Sequence, residues 1–262
     1  MYNVPLFFFD LETTGLDVDT CGIVQMAYLK LGEGDETQWE DSATLLMNPQ
    51  THIDERATAV HGFTDEMVAD KPIFDVFADT LYGLADGAYW VGYNNMRYDI
   101  PVFKNHFKRC GHAVPKPAGI IDSYKIFTHF YGKSRKKGSR TLQAAHIHYC
   151  GESFEDAHDA MADIRATFSV LDEQINEHQD SLTLEKAVKI SQQREANIDH
   201  RGFFKFGSGN VPVCAVGKFA GVAIKDVPAG YLSWIAGNET FGEDTRKVAK
   251  NALLGVYPIW KD

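Results

Sequence analysis

The 262-residue chain is long enough for one medium-sized core and a small additional module. Its apolar fraction of 44% and charged fraction of 24% are typical of a folded globular protein, and its apolar runs are too short to cross a bilayer. The first residues resemble a strand rather than a signal peptide, and the four cysteines form no C-x-x-C pair that would indicate a zinc site. The sequence therefore predicts a cytoplasmic protein with no membrane partner.

The formal net charge of −10 argues against a simple nucleic-acid binder, because phosphates are usually contacted by basic patches. A site that holds divalent cations would weaken this argument, since it must concentrate carboxylates and its cations reverse the local charge. Basic residues are concentrated in Gly132–Arg140. This run is equally consistent with a solvated loop and with a loop that contacts phosphates.

The predicted elements open with an antiparallel set of strands. A buried strand covers Leu6–Phe9 and ends at Asp10 before a turn at Thr13–Gly15, and two more strands follow at Ile23–Leu31 and Trp39–Met47. Helices and strands then alternate: short helices at Thr58–His61 and Thr64–Ala69, a helix around Phe74–Leu84, a strand at Ala88–Tyr93, a helix at Asp99–Cys110, a strand at Ile120–Ile121 and a long helix at Ala157–Ile175. This order predicts an α/β fold with a mixed sheet flanked by helices.

A change of character near residue 200 predicts a second module. A helix at Leu182–Ala196 is followed by a polar stretch, and glycine-rich sequence with many aromatic residues begins at Phe203. We therefore expect a main domain at 1–178, a helical linker at 179–202 and a small C-terminal module at 203–262.

Acidic residues follow several of the predicted strands. Asp10 and Glu12 are separated by one residue, so on a strand their side chains project from the same face. Asp99 follows another strand and opens a helix, where the helix dipole favours a carboxylate. Taken singly, each of these acids is better explained as a solvated acid at a turn or as an acid at a helix N-terminus.

His158 and Asp163 complete the set of candidate catalytic residues. Residues five apart do not share one stripe of a helix, so His158 should lie just before the helix or in its first turn while Asp163 points inward. A histidine there could take a proton from water near neutral pH. A capping Asp159 beside a solvated histidine is the alternative for this segment.

The four acids together favour a metal site. Asp10, Glu12, Asp99 and Asp163 could hold two divalent cations about 4 Å apart, which is the spacing used for in-line attack on a phosphodiester. Oxygen ligands of this kind suit Mg²⁺ or Mn²⁺ rather than zinc.

These residues stand in motifs that resemble the DEDD exonucleases, in the histidine-bearing (DEDDh, DnaQ-like) subgroup of exonuclease I, exonuclease X, ribonuclease T and a bacterial proofreading subunit. The motifs are Phe8–Gly15, Tyr93–Asp99 and His158–Asp163, and Ala59–Thr64 resembles the loop that touches the terminal nucleotide. The resemblance implies a ribonuclease-H-like fold and hydrolysis from the 3′ end. It assigns the four acids to metals and His158 to water activation, and it places Leu11, Thr13, His61 and Asn95 against the substrate.

Single-stranded DNA is the substrate that this resemblance favours, with release of nucleoside 5′-monophosphates and a role in DNA repair. The alternatives are an RNA-trimming exoribonuclease, a proofreading subunit with a polymerase partner, and a nucleic-acid-binding module without catalysis. The intact set of acids argues against the last of these, because a binding module has no need for converging carboxylates.

The C-terminal sequence around Val216–Ile235 resembles the small module at the end of exonuclease X, with Ala220 where a basic residue often stands. Lys218, Tyr231 and Trp234 could bind a nucleic-acid strand by charge and stacking. The favoured interpretation from sequence is that Tyr231 and Trp234 are core aromatics of a small domain.

Overall fold

A computed structural model describes residues 4–32, 39–131, 140–155, 159–192, 197–199 and 202–259. The chain divides into two compact units, Met1–Gln193 and Arg194–Asp262, and each is described by itself. No helix in the described ranges has the length and apolar character needed to cross a membrane.

A mixed sheet forms the centre of the first unit and confirms the predicted fold class. Within the described residues it has five strands in the order β3-β2-β1-β4-β5. Strand β1 pairs antiparallel with β2 and parallel with β4, while β2–β3 is antiparallel and β4–β5 is parallel. The strands are β1 Leu6–Thr13, β2 Ile23–Leu31, β3 Trp39–Leu46, β4 Tyr89–Gly92 and β5 Gly119–Asp122.

Strand β1 continues through both of its acidic residues. Leu11 and Glu12 pair with Met26 and Gln25 of β2, so the ladder supplies partners for their backbone groups as far as Thr13. The prediction that the strand ends at Asp10 is therefore wrong, because β2 provides pairing that sequence polarity does not reveal.

The two faces of β1 have different coverings. Phe7, Phe9 and Leu11 belong to the core on one face, with residues of α3 (Phe74–Ala85) and α4 (Asp99–Arg109). Leu6 and Phe8 belong to the core on the other face, with residues of α7 and α8. By the alternation of side chains along a strand, Asp10 and Glu12 extend the Phe8 face towards α7.

The remaining helices of this unit are α1 Glu55–His61, α2 Asp65–Val68, α5 Ser123–Tyr131, α6 Leu142–Cys150, α7 Ala160–Glu177 and α8 Leu184–Gln192. The sequence did not predict α5 and α6. The predicted start of the long helix at Ala157 lies outside the described residues, and α7 begins at Ala160 because Asp159 accepts bonds from the Met161 and Ala162 amides. Helix α8, assigned to a linker from sequence, packs on β5 and contributes Ala187 and Ile190 to the core.

The second unit is built on a short hairpin and two helices. Strands β6 (Phe204–Phe206) and β7 (Pro212–Cys214) pair antiparallel, and helices α9 (Ala229–Gly237) and α10 (Glu243–Leu253) pack against each other. Its core includes Phe204, Cys214, Ile224, Leu232, Ile235 and Ala249.

Asp199 links the hairpin to α10 inside this unit. The side chain is only 3% exposed and accepts bonds from the Phe203 and Phe204 amides and from the Thr245 hydroxyl. Because Asp199→Ala would leave these donors without a partner, we expect the unit to lose roughly 2–4 kcal/mol of unfolding free energy. Urea unfolding of the full chain would measure this, with exposed Asp226→Ala as the control. Equal stability of the two variants would contradict the conclusion that Asp199 stabilises this unit by linking the hairpin to α10.

Candidate active site

The structure brings the four predicted acids into one electrostatic neighbourhood. Asp10 and Glu12 are half-buried on the face of β1 that α7 covers. Asp163 lies in the first turn of α7, and Asp99 is the first residue of α4, shortly after the end of β4. The packing of a helix start against a central strand thus gathers side chains that are far apart in sequence.

Burial and mutual repulsion raise the pKa values of these carboxyls. Burial raises the pKa of Asp10 well above its usual range, and the charges of Asp99, Asp163 and Glu12 raise it further. Burial raises the pKa of Glu12 to about 7, with Asp163 and Asp99 adding to the rise. Burial likewise raises the pKa of Asp99 to about 7, although the backbone amides of Asp99 and Leu11 oppose the shift.

This electrostatic arrangement fits a divalent cation. Among the described residues, every contribution to the pKa values of Asp10 and Glu12 raises them and comes from burial or from another carboxylate. Gathering like charges in a half-buried site is costly unless a cation offsets them. In the described part of the chain, no three His, Cys, Asp or Glu side chains are placed so that one metal ion could bind them all. The four acids are therefore neighbours, but their oxygens do not surround a common point. Their oxygen-only donor set is the kind that Mg²⁺ and Mn²⁺ prefer.

Asp122 is an acidic residue of this region that the sequence analysis did not select. It is fully buried at the end of β5, beside Gly92 of β4. One carboxylate oxygen accepts bonds from the Asn94 amide (2.8 Å) and the Tyr124 amide (3.1 Å), and the other has no hydrogen-bond partner among the atoms of the described residues. Burial raises the pKa of Asp122 to about 6, and its charge raises the pKa of Asp99. The sequence signal that could have identified Asp122 is its position at the carboxyl end of a parallel strand, where functional groups of α/β sheets collect.

We expect Asp122 to hold the segment that carries Asp99. Asn94 adopts a left-handed backbone conformation (φ 61°), and its amide is fixed by Asp122. Asp122→Ala should reduce cleavage by roughly 10- to 100-fold through misplacement of Asp99, since small displacements of catalytic groups have effects of this size. Asp122→Asn keeps an oxygen acceptor and should retain most activity. Steady-state rates of both variants test this, and equal losses would contradict it.

His158 lies outside the described residues, so its predicted role as general base stays a prediction. The next residue, Asp159, is described and caps α7 with its side chain. The start of the helix that carries Asp163 is therefore fixed directly after His158 in the chain.

Two of the residues predicted to contact substrate, Leu11 and Asn95, have buried side chains. Leu11 is 6% exposed and packs in the core, because alternation along β1 turns it away from Asp10 and Glu12. Asn95 is 1% exposed, and its amide has no hydrogen-bond partner in the described structure. A Cβ on Gly92 would lie 2.2 Å from the Asn95 Nδ2, so the glycine makes room for this buried amide. Both side chains are thus buried in this structure, and the expectation that these residues touch substrate stays a prediction.

Thr13 and His61 lie together at the end of β1. The Thr13 hydroxyl bonds to the Gly15 carbonyl and contacts the Tyr98 hydroxyl. His61 Nδ1 accepts from the Phe63 amide at 3.0 Å, so its Nε2 carries the proton and donates to the Thr13 carbonyl at 3.2 Å. Burial lowers the pKa of His61, which favours this neutral form. His61 therefore fixes the α1 end to β1.

A groove of about 660 Å³ opens beside this point. It is lined by the loop after β1 (Thr14 to Asp17) and by the start of α1 (Asp54 to Arg56). Leu16 projects from that loop and is almost fully exposed. The volume of the groove is large enough for a nucleotide-sized group.

Comparison with known proteins assigns this fold and site to a family. The sequence model of the RNase_T family, described as "Exonuclease", matches residues 7–171. The chain belongs to this exonuclease family. Protein NEN4 of Arabidopsis thaliana is 30% identical over 133 residues, which cover 50% of this chain and 51% of NEN4. The chain thus spans about half the length of this curated relative.

Solved structures share the fold of this chain. A zinc-bound complex of E. coli exonuclease I with single-stranded DNA matches 68% of the chain and 41% of exonuclease I, with a TM-score of 0.57 and 20% identity. Exonuclease X bound to 5′-overhanging duplex DNA matches 71% of the chain and 99% of its own, with a TM-score of 0.51 and 21% identity. At such identities the likeness establishes the fold, which confirms the expected ribonuclease-H-like class.

Proposed function

We propose that the chain is a metal-dependent 3′-to-5′ exonuclease that hydrolyses single-stranded DNA and releases nucleoside 5′-monophosphates. The observation that carries this proposal is the gathering of Asp10, Glu12, Asp99 and Asp163: burial and neighbouring carboxylates raise the pKa of Asp10, and among the described residues no group lowers it. Membership of the exonuclease family supports the reaction class. The catalytic domain in this proposal is residues 1–178.

Asp10, Glu12, Asp99 and Asp163 are the residues that would hold two divalent cations, Mg²⁺ or Mn²⁺. When bound, such cations supply charge stabilisation at the phosphodiester and lower the pKa of water. Strand β1 presents two of the acids on one face, and the capped start of α7 holds Asp163 beside them.

His158 is the general base in this proposal. It precedes the Asp159 cap, and a neutral imidazole there can accept a proton from the attacking water near pH 7. The side chain of Asp159 is committed to the Met161 and Ala162 amides, so it is not available for that role.

The terminal nucleotide is proposed to bind near the hydrogen bond between His61 and the Thr13 carbonyl, beside the groove at the end of β1. Arg56 lies in that groove at the start of α1 and is the cationic side chain that could meet a phosphate there. Leu11 and Asn95 remain predicted substrate contacts in this proposal, and their side chains are buried in this structure.

DNA is favoured over RNA because exonuclease I and exonuclease X, which share the fold, are seen with single-stranded and overhanging DNA. The test uses a 5′-labelled DNA oligomer with Mg²⁺, beside RNA and duplex DNA of the same sequence. We expect a ladder that shortens from the 3′ end, fastest for single-stranded DNA and absent with a chelator. Faster shortening of RNA would favour an exoribonuclease, and cleavage inside the strand would contradict the proposal.

A further inference from the structure

A row of aromatic side chains lies on the surface of the C-terminal unit. It consists of Phe219, Tyr231, Trp234, Phe241 and Phe203 and is called the aromatic row below. Neighbouring ring centroids along it are 4.7, 5.4, 5.2 and 5.1 Å apart. Trp234 is 51% exposed, and the other members lie half-buried at the rim of the core. The sequence-based assignment of Trp234 to the core is therefore wrong.

Helix α9 holds the row in a fixed position. Tyr231 and Trp234 are three residues apart on one side of α9, whereas Leu232 and Ile235 on the other side are buried in the core. The backbone of Gly217, with φ 80°, passes over Tyr231, and a Cβ there would lie 2.8 Å from the Tyr231 hydroxyl. The exposed ring is thus supported by a packed layer, which lowers the entropy cost of binding a flat ligand.

The net charge of the C-terminal unit and the position of Lys218 favour an anionic occupant. Residues 194–262 contain nine Lys and Arg against seven Asp and Glu, a net charge of +2, although the whole chain carries −10. At the end of the row, Lys218 places its Nζ 5.6 Å from the ring centre of Phe219. A ligand with flat apolar faces joined by anionic groups matches this combination, and single-stranded nucleic acid has that chemistry.

We propose that the aromatic row binds single-stranded nucleic acid, with a base stacked on Trp234 and a phosphate near Lys218. This binding goes beyond hydrolysis at the acidic site, because it would hold the strand on the other compact unit of the chain. Stacking accepts any base, so the proposal predicts little sequence preference.

The test is equilibrium binding of fluorescein-labelled dT20 and U20 to the full chain in a chelating buffer, read by anisotropy. Without cations the acidic site repels a polyanion and cleaves nothing, so the result does not depend on the proposed nuclease activity. Trp234→Ala should weaken binding by roughly 5- to 150-fold, the usual effect of removing a stacking ring. The DNA and RNA arms identify which strand the row prefers.

Leu254→Ala is the matched control, since Leu254 is an apolar residue of the same unit, 79% exposed and outside the row. Its binding should equal wild type. Trp234→Phe, which keeps a ring, should stay within a few-fold of wild type but lose the quenching of tryptophan fluorescence by dT20. This variant also covers the case in which Trp234→Ala does not fold. The proposal would be overturned if Trp234→Ala bound as tightly as wild type or if Leu254→Ala lost as much affinity as Trp234→Ala. Unchanged fluorescence quenching in Trp234→Phe, or no binding of either oligomer to wild type, would also overturn it.

Discussion

Asp163→Asn is expected to reduce the rate of 3′-end cleavage by at least roughly 10³-fold, because metal-assisted charge stabilisation contributes several kcal/mol to reactions of this kind. The substitution keeps the shape of the side chain but removes the charge that acts on Asp10 and Glu12. In the metal-free protein the same loss of charge relieves repulsion, so the fold should be as stable as wild type or more so.

The control for this variant lies on the same helix. Glu173→Gln also removes one negative charge from α7, but Glu173 is exposed and does not contribute to the pKa values of Asp10 or Glu12. Initial rates on a labelled single-stranded oligomer, with thermal unfolding of each variant, measure both effects. Near-wild-type cleavage by Asp163→Asn would refute the assignment of that residue.

The metal-free protein is expected to lose stability as the pH rises from about 5 to 8. The ordinary pKa of Glu12 and Asp99 is near 4, whereas both are raised to about 7 in the folded chain. In this window the folded state binds more protons than the unfolded state, so the free energy of unfolding falls as these acids ionise. We expect the free energy of unfolding to fall by roughly 3 kcal/mol. This is less than the two pKa shifts would give if added, because the site is partly open to solvent and the two acids share the same repulsion.

Thermal unfolding in a chelating buffer across this range, with Glu12→Gln as the comparison, would measure the effect. The variant should show a shallower dependence on pH, since one of the raised carboxyls is gone. Addition of Mg²⁺ or Mn²⁺ at 100 times the dissociation constant should raise the stability of wild type at pH 8 by about 2.7 kcal/mol for each cation bound. Identical pH profiles for the two proteins would show that the carboxyls are not coupled as described.

The sequence predicted the acidic site better than it predicted the contacts around it. Asp10 and Glu12 were placed on one face by strand alternation alone, and the structure puts both beside α7. Asp122 was missed because a single strand-end acid in sequence does not show that the protein buries it completely.

Side-chain direction explains the other differences. The burial of the Leu11 and Asn95 side chains was not predicted, because motif resemblance transfers residue identity but not the face on which a side chain lies. Trp234 was assigned to the core because aromatic residues in small domains are mostly buried, and the packing of α9 on α10 decides otherwise. Helices α5 and α6 are rich in aromatic and histidine residues, so local sequence gave them little helical signal and tertiary packing fixes them.

The most direct test of the central claim, that the carboxylates form a two-cation centre, is a calorimetric titration of Mn²⁺ into wild type and Asp163→Asn at pH 8. The account predicts about two cations bound per wild-type chain with sub-millimolar affinity, and fewer or much weaker ions in the variant. Binding weaker than millimolar in wild type, or the same binding in both proteins, would contradict it.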